Sequence, residues 1–242
     1  TWASMEGEAK RDYPASIGYQ SPWYKEYSTI EDHFARLNTV LTRGKPSVDI
    51  AVIHPVESYW LYWGCVSQTA AVRQMLETNF ENIIQWLLYG LLDFDFISEA
   101  VLAEEGQAQE GEGFVMGEME YRTVIVPACT TLRRNTYERL RAFREAGGHV
   151  IFMGKEPEYL DGCKSPLPAA LAAQCEQIGY NSSELIEALE KYRKVDVSSV
   201  PVDRTDPTRM KHRENGTRTN NMFYQMRKEK DHDWLFLCHV NK

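Results

Sequence analysis

Hydrophobic and polar residues follow two repeating patterns along this 242-residue chain, and the patterns alternate. The run from Val48 to Val56 is apolar on both faces, as a central strand of a parallel sheet must be. From Ser67 to Leu92, apolar residues recur at helical spacing and predict a long amphipathic helix. This exchange of strands and helices predicts an α/β fold: an open, flavodoxin-like parallel sheet with helices on both faces.

The clearest local pattern is a strand–helix–strand unit. Thr123 to Ala128 predicts one buried strand and Val150 to Met153 the next. Asn135 and Glu138 have the spacing of a helix-capping pair, and the glycine pair 147–148 is typical of a helix end. Because parallel strands joined by a helix nearly always cross over right-handed, we expect that hand here.

Further helices are predicted from Pro168 to Gln177 and from Ser183 to Arg193, and a β-hairpin from Met222 to Val240. The pattern therefore divides the chain into three parts. These are an aromatic-rich segment with a helix (1–46), an α/β domain (47–197), and a loop with a β-hairpin (198–242).

Net charge and cysteine spacing exclude several classes of binding partner and cofactor. The formal net charge is −8, so no excess of lysine and arginine is available to neutralise nucleic-acid phosphates or an anionic membrane. The 5 cysteines form no CxxC pair, and the chain lacks the common nucleotide, serine-hydrolase and zinc-protease motifs. We expect no metal, no cofactor, no nucleic-acid or membrane partner, and reduced thiols in a cytoplasmic protein.

Cys129 follows a predicted strand and precedes a predicted helix, which is where several α/β enzymes place a nucleophile. No glycine flanks it, and the predicted helix cap is reached only at Asn135. The alternatives are therefore a catalytic thiol, with His54 as its partner, and a small buried residue at the end of a strand.

Polar residues at other predicted strand ends are candidate ligand contacts, because open α/β sheets bind ligands beyond the carboxyl ends of their strands. His54 and Glu57 follow the first strand, and Glu156 follows the strand that ends at Met153. The alternative for His54 is a structural role under a loop.

Two aromatic groups are candidate contact surfaces. Tyr59, Trp60 and Trp63 lie in the run after the first strand, and Trp23 and Tyr24 lie in the aromatic-rich opening segment. Aromatic rings stack on sugars and also anchor protein interfaces, so packing against another module and sugar contact both remain open.

The stretch from Met119 to Gly154, MEYRTVIVPACTTLRRNTYERLRAFREAGGHVIFMG, resembles the amidotransferase-like domain of bacterial β-galactosidase-type glycoside hydrolases, which is called the trimerisation domain in some of them. The stretch from Glu26 to Gly64 is similar to the joint between barrel and that domain. Asp12 to Tyr27 resembles the last elements of the catalytic barrel, and Asn220 to Lys242 the entry to a following β domain.

The resemblance implies a class I glutamine amidotransferase-like domain without its own catalysis. Active members flank their cysteine with glycine, and Pro127-Ala128-Cys129-Thr130 departs from that pattern. The glycosidase carboxylates would lie outside this chain. The implied partners are neighbouring domains of the same polypeptide, further copies in a homo-oligomer, and the carbohydrate substrate of the parent enzyme. A cysteine-dependent hydrolase and a sugar-binding domain are the alternatives.

Overall fold

A computed structural model describes residues 18–19, 21–104, 113–199, 217–219 and 221–240. The expected barrel remnant before residue 18 and most of the expected loop 198–219 therefore lie outside the described residues. The chain forms two compact units. The smaller comprises Thr1–Pro46 with Gln225–Phe236, and the larger comprises Ser47–Tyr224 with Leu237–Lys242.

The described residues form helices and strands as follows. The helices are α1 (Ser28–Leu41), α2 (Val56–Leu61), α3 (Val66–Tyr89), α4 (Glu99–Glu104), α5 (Arg134–Glu145), α6 (Leu167–Ala172) and α7 (Ser182–Leu189). The strands are β1 (Lys45–Pro46), β2 (Ile50–Ile53), β3 (Phe94–Ile97), β4 (Phe114–Met116), β5 (Met119–Tyr121), β6 (Thr123–Val126), β7 (Thr131–Leu132), β8 (His149–Met153), β9 (Tyr159–Leu160), β10 (Cys163–Lys164), β11 (Glu176–Ile178), β12 (Ser198–Ser199), β13 (Thr217–Arg218), β14 (Met222–Lys228) and β15 (Asp233–His239).

A five-stranded sheet in the order β3-β2-β6-β8-β11 forms the centre of the larger unit. All four neighbouring pairs are parallel. Numbered along the chain, the order is 2-1-3-4-5, which is compatible with a flavodoxin-like sheet. The predicted α/β class with an open parallel sheet is confirmed.

Both faces of this sheet are covered by helices, which explains why the central strands are apolar throughout. One face packs against α5 and α6, and the other packs against α3 and α7. The side chains that make these contacts alternate along each strand. Ala51, Ile53, Val124 and Phe152 face the first group, with Leu140 and Leu171; Ile50, Val52, Ile125 and Ile151 face the second, with Leu87 and Leu185.

The start of α5 differs from the prediction. The helix begins at Arg134, so Asn135 lies inside it and is not the cap. Two carboxylates that are distant in the sequence take that role: Glu99, the first residue of α4, accepts the backbone N–H of Arg133 at 2.7 Å, and Asp161 accepts that of Arg134 at 3.0 Å. The prediction was wrong because the spacing of nearby residues does not show which distant side chains accept the free N–H groups at a helix start.

The helix predicted from Pro168 to Gln177 is also too long. It ends at Ala172, and Glu176–Ile178 is the edge strand β11, paired parallel with β8. Hydrogen bonding with β8 determines the conformation of this segment, although its apolar residues have a weak helical spacing. A short edge strand can form without alternating apolar and polar residues.

The predicted β-hairpin corresponds to β14 and β15. In the smaller unit β14 pairs antiparallel with β1, Lys45 lying opposite Lys228, and β15 is its other neighbour. The smaller unit also contains α1, in which no residue is buried. Across the described parts of the chain, no helix combines the length and apolarity that a bilayer span requires.

Candidate functional site

The sheet of the larger unit has its topological switch point at β2. From β2 the chain moves outward to β3 and then returns across to β6 on the other side of β2. Sheets of this type bind ligands in the crevice beyond the carboxyl ends of the strands at that point. The residues that follow β2, β3 and β6 therefore define the candidate site.

Ser58 of α2 occupies the centre of this crevice. Its side chain is fully buried, and its hydroxyl accepts the backbone N–H groups of Thr130 at 2.9 Å and Thr131 at 3.1 Å. The same hydroxyl donates to the carbonyl oxygen of Thr131 at 3.4 Å. The amides that follow β6 are the groups that an active site would direct at a negatively charged ligand or intermediate. Here the Ser58 hydroxyl already binds both amides.

Cys129 lies directly before these amides and is buried, with 8% of its surface exposed. Burial raises the pKa of its thiol far above the usual value, and the nearby charge of Glu99 raises it further. Only the thiolate is a nucleophile, so a thiol held in its protonated form is inert. The geometry favours the packed-thiol alternative for Cys129.

Two carboxylates bind Arg133, the residue directly before α5. Glu57 of α2 forms an ion pair with its Nε at 2.5 Å, and Glu99, which is 2% exposed, accepts its backbone N–H. Burial raises the pKa of Glu99 to about 7. Glu57, a predicted ligand contact, is thus engaged in anchoring the start of α5.

His54 lies to one side of this cluster, in a pocket of about 190 Å³ that is also lined by Tyr59, Leu76, Glu77 and Phe80. Its ring is 4.9 Å from that of Phe80. Burial lowers the pKa of the imidazole, so it is neutral near pH 7. Within the described residues, its ring forms no hydrogen bond with Cys129.

Glu156 lines a different cavity, of about 390 Å³, beyond the carboxyl end of β8. Its neighbours there include Glu158, which pairs with Lys155, and Lys164. The structure therefore does not bring His54 and Glu156 into one site.

The aromatic surface, which we define as Tyr59, Trp60 and Trp63, covers the outer side of α2. Trp60 is 57% exposed and Trp63 is 72% exposed. The guanidinium of Arg73 lies over the rings of Tyr59, at 5.9 Å, and Trp63, at 5.2 Å, and makes the surface stiffer by cation–π contact. Leu61 adds to this exposed apolar area.

Trp23 and Tyr24 lie in the smaller unit, just before α1. Trp23 is 50% exposed and Tyr24 is 38% exposed, and the Trp23 ring is 6.2 Å from that of Tyr27. The two predicted contact surfaces are thus on different units of the chain.

A third cavity, of about 710 Å³, lies at the opposite edge of the sheet, near the amino ends of β6 and β8. Its lining mixes Asp49 and Glu120 with Arg122 and Lys191. Because opposite charges are interspersed there, the cavity presents no single-sign field to a ligand. Over the residues that the structure describes, no three His, Cys, Asp or Glu side chains come together to hold a metal ion.

Sequence reasoning identified His54, Glu57 and Cys129 at the crevice but missed Ser58 and Glu99. Glu99 follows β3 by two residues, so the strand-end rule applied to β3 would have found it. No sequence signal marks Ser58, because the amides that it binds lie 72 and 73 residues later.

No known protein family matches the chain, and no curated protein matches it. Among solved structures it is similar to a beta-galactosidase from Rahnella sp. R3, with 18% sequence identity and a TM-score of 0.31. The match covers 52% of this chain and 17% of that chain, so it spans far less than two thirds of the enzyme. A likeness this weak establishes neither the family nor the activity of the chain.

Proposed function

We propose that the chain is a non-catalytic, glutamine amidotransferase-like α/β part of a carbohydrate-active protein of the glycoside hydrolase type. In this role it supports neighbouring domains of the same polypeptide, forms one wall of a sugar cleft, or joins copies into a homo-oligomer. The stretch from Met119 to Gly154 supports the proposal by its resemblance to such domains, and the 2-1-3-4-5 strand order is compatible with it.

The filled crevice is the observation that carries the proposal. At the position where an active sheet of this type exposes a nucleophile and free amides, Cys129 is buried and Ser58 occupies the amides of Thr130 and Thr131. An enzyme needs these groups open to its substrate. A supporting domain instead gains stability from packing them.

The aromatic surface is the proposed contact with neighbouring modules. Trp60, Leu61 and Trp63 expose apolar side chains side by side, and tryptophan is among the residues that contribute most to protein interfaces. Apolar area of this kind costs free energy in water, so covering it by another module stabilises the assembly.

The alternative of a cysteine-dependent hydrolase requires Cys129 and His54 to act together. The raised pKa of the thiol opposes this alternative, as does the position of the His54 ring against Phe80. The sugar-binding alternative is compatible with the proposal and has its own geometric support at the His54 pocket.

The experiment that tests the proposal is a turnover assay of the purified chain with a panel of nitrophenyl glycosides and with glutamine. We expect the rate to equal that of the Cys129→Ala variant for every substrate. Turnover at enzymatic speed that this variant abolishes would support the cysteine enzyme. Glycoside turnover that the variant retains would place the bond-breaking carboxylates inside this chain, and the proposal would be wrong.

A further inference from the structure

The pocket beside His54 has the position and lining of a small-ligand site. It lies beyond the carboxyl end of β2, at the switch point of the sheet, where such folds place their ligands. Unlike the amides after β6, which Ser58 binds, the pocket is not occupied by a side chain of any described residue. At about 190 Å³ it is smaller than the ~300 Å³ at which pockets for drug-sized ligands begin, so it has room for a single ring.

Rings and aliphatic groups form most of the pocket wall. Phe80 and Tyr59 supply two aromatic rings, and Val56 and Leu76 supply aliphatic surface. The Phe80 ring is fixed by the rings of His54 at 4.9 Å and Phe96 at 4.8 Å. A rigid aromatic wall suits a ligand with one flat, apolar face, since little side-chain freedom is lost on binding.

Polar groups at this wall are available for hydrogen bonds. The imidazole of His54, the hydroxyl of Tyr59 and the carboxylate of Glu77 form none with the residues that the structure describes, and all three line the pocket. A neutral imidazole offers one donor and one acceptor, the phenol offers both, and the carboxylate accepts. Such a set matches the neighbouring hydroxyl groups of a polyol.

The charge of the pocket excludes anionic ligands. Among the described residues no lysine or arginine lines it, whereas Glu77 does. The nearest guanidinium on the same helix, that of Arg73, lies over the rings of Tyr59 and Trp63. A ligand that enters must therefore be neutral or cationic.

From this combination of an aromatic wall, three unpaired polar groups and room for one ring, we infer that the pocket binds a single neutral pyranose residue. The apolar C–H face of the sugar stacks on Phe80 and Tyr59, and its hydroxyls bond to His54, Glu77 and the Tyr59 hydroxyl. The inference rests on the proposed function, because the carbohydrate-active role selects a sugar among neutral ring ligands. The Trp63 ring, 6.2 Å from that of Tyr59, extends the aromatic wall beyond the pocket.

Amide chemical shifts of the isotope-labelled chain during titration with methyl galactoside, methyl glucoside and methyl mannoside test the inference. We expect saturable shifts with at least one of them, in α2 and in α3 from Leu76 to Phe80. Glu77→Ala removes the carboxylate acceptor and Tyr59→Phe removes the phenol hydroxyl, and each should weaken binding about fivefold. Glu156→Gln, in the separate cavity beyond β8, should leave the affinity unchanged.

The outcomes separate this inference from the proposed function. Each variant must give a spectrum that overlays the parent spectrum away from the pocket, which shows that it folds. If no sugar causes saturable shifts, or if only a cationic ligand such as benzylamine does, the inference is wrong while the supporting role stands. If a glycoside binds and is also hydrolysed, the proposed non-catalytic function is wrong.

Discussion

Replacing Ser58 by alanine tests whether the crevice is filled as described. The hydroxyl is fully buried and accepts two backbone N–H groups, those of Thr130 at 2.9 Å and Thr131 at 3.1 Å. Leaving one buried donor without a partner costs about 1–3 kcal/mol. Thr131 is buried and Thr130 is partly exposed, so water can compensate only the second. We expect Ser58→Ala to lower the free energy of unfolding by about 1–3 kcal/mol.

Urea unfolding followed by circular dichroism gives this difference, because a shift of the midpoint at constant slope reports stability alone. The matched control is Ser183→Ala, an exposed serine in α7, which should change stability by no more than about 0.5 kcal/mol. If Ser58→Ala were as mild as this control, its hydroxyl would not be the partner of the two amides. Ser58 would then not close the crevice beyond β6.

Two further perturbations follow from buried charge and backbone geometry. Burial raises the pKa of Glu99 from 4.5 to about 7, so the folded state holds this proton more tightly than the unfolded state and stability falls as pH rises through that window. In urea unfolding at several pH values, Glu99→Gln should remove roughly 3 kcal/mol of this loss. Burial also raises the pKa of Asp93 to about 6, so a smaller decrease of stability with rising pH should remain in the variant. If stability depended on pH equally in parent and variant, the assignment to Glu99 would be wrong. Gly44 has φ +49°, and an added Cβ would lie 2.0 Å from the carbonyl oxygen of Lys228, whereas Gly147, with φ +94°, has open space around it. Hydrogen exchange of the β14 amides should therefore accelerate strongly in Gly44→Ala, and Gly147→Ala should cost only about 1 kcal/mol in global stability; equal protection in parent and Gly44→Ala would refute the clash.

The central sheet was predictable because its strands are apolar on both faces. β2, β6 and β8 each bury every residue or nearly every residue, and this pattern is readable without knowing their neighbours. The edge strand β11 was not predictable, because two of its three residues, Glu176 and Gln177, are exposed. Its strand conformation comes from pairing with β8, which the local sequence does not record.

The candidate site was predictable only where a strand end marks it. His54 and Cys129 were found because they follow β2 and β6 in the sequence. The roles of Ser58 and Glu99 depend on contacts with residues more than 30 positions away, so no spacing rule reveals them. The same distance explains why the carboxylates that cap α5, including that of Glu99, were not predicted from the spacing around Asn135.

The reactivity of the five thiols toward iodoacetamide, followed by mass spectrometry of the folded chain across pH, tests the central claim most directly. Cys65 is exposed, and its hydrogen bond with Ser67 lowers the pKa of its thiol, so it should be alkylated early. Cys129 should stay unmodified over the same period and react only after unfolding in urea. Alkylation of Cys129 in the folded chain as fast as Cys65, with a rate that rises below the usual thiol pKa, would show an open and activated nucleophile and would contradict the account.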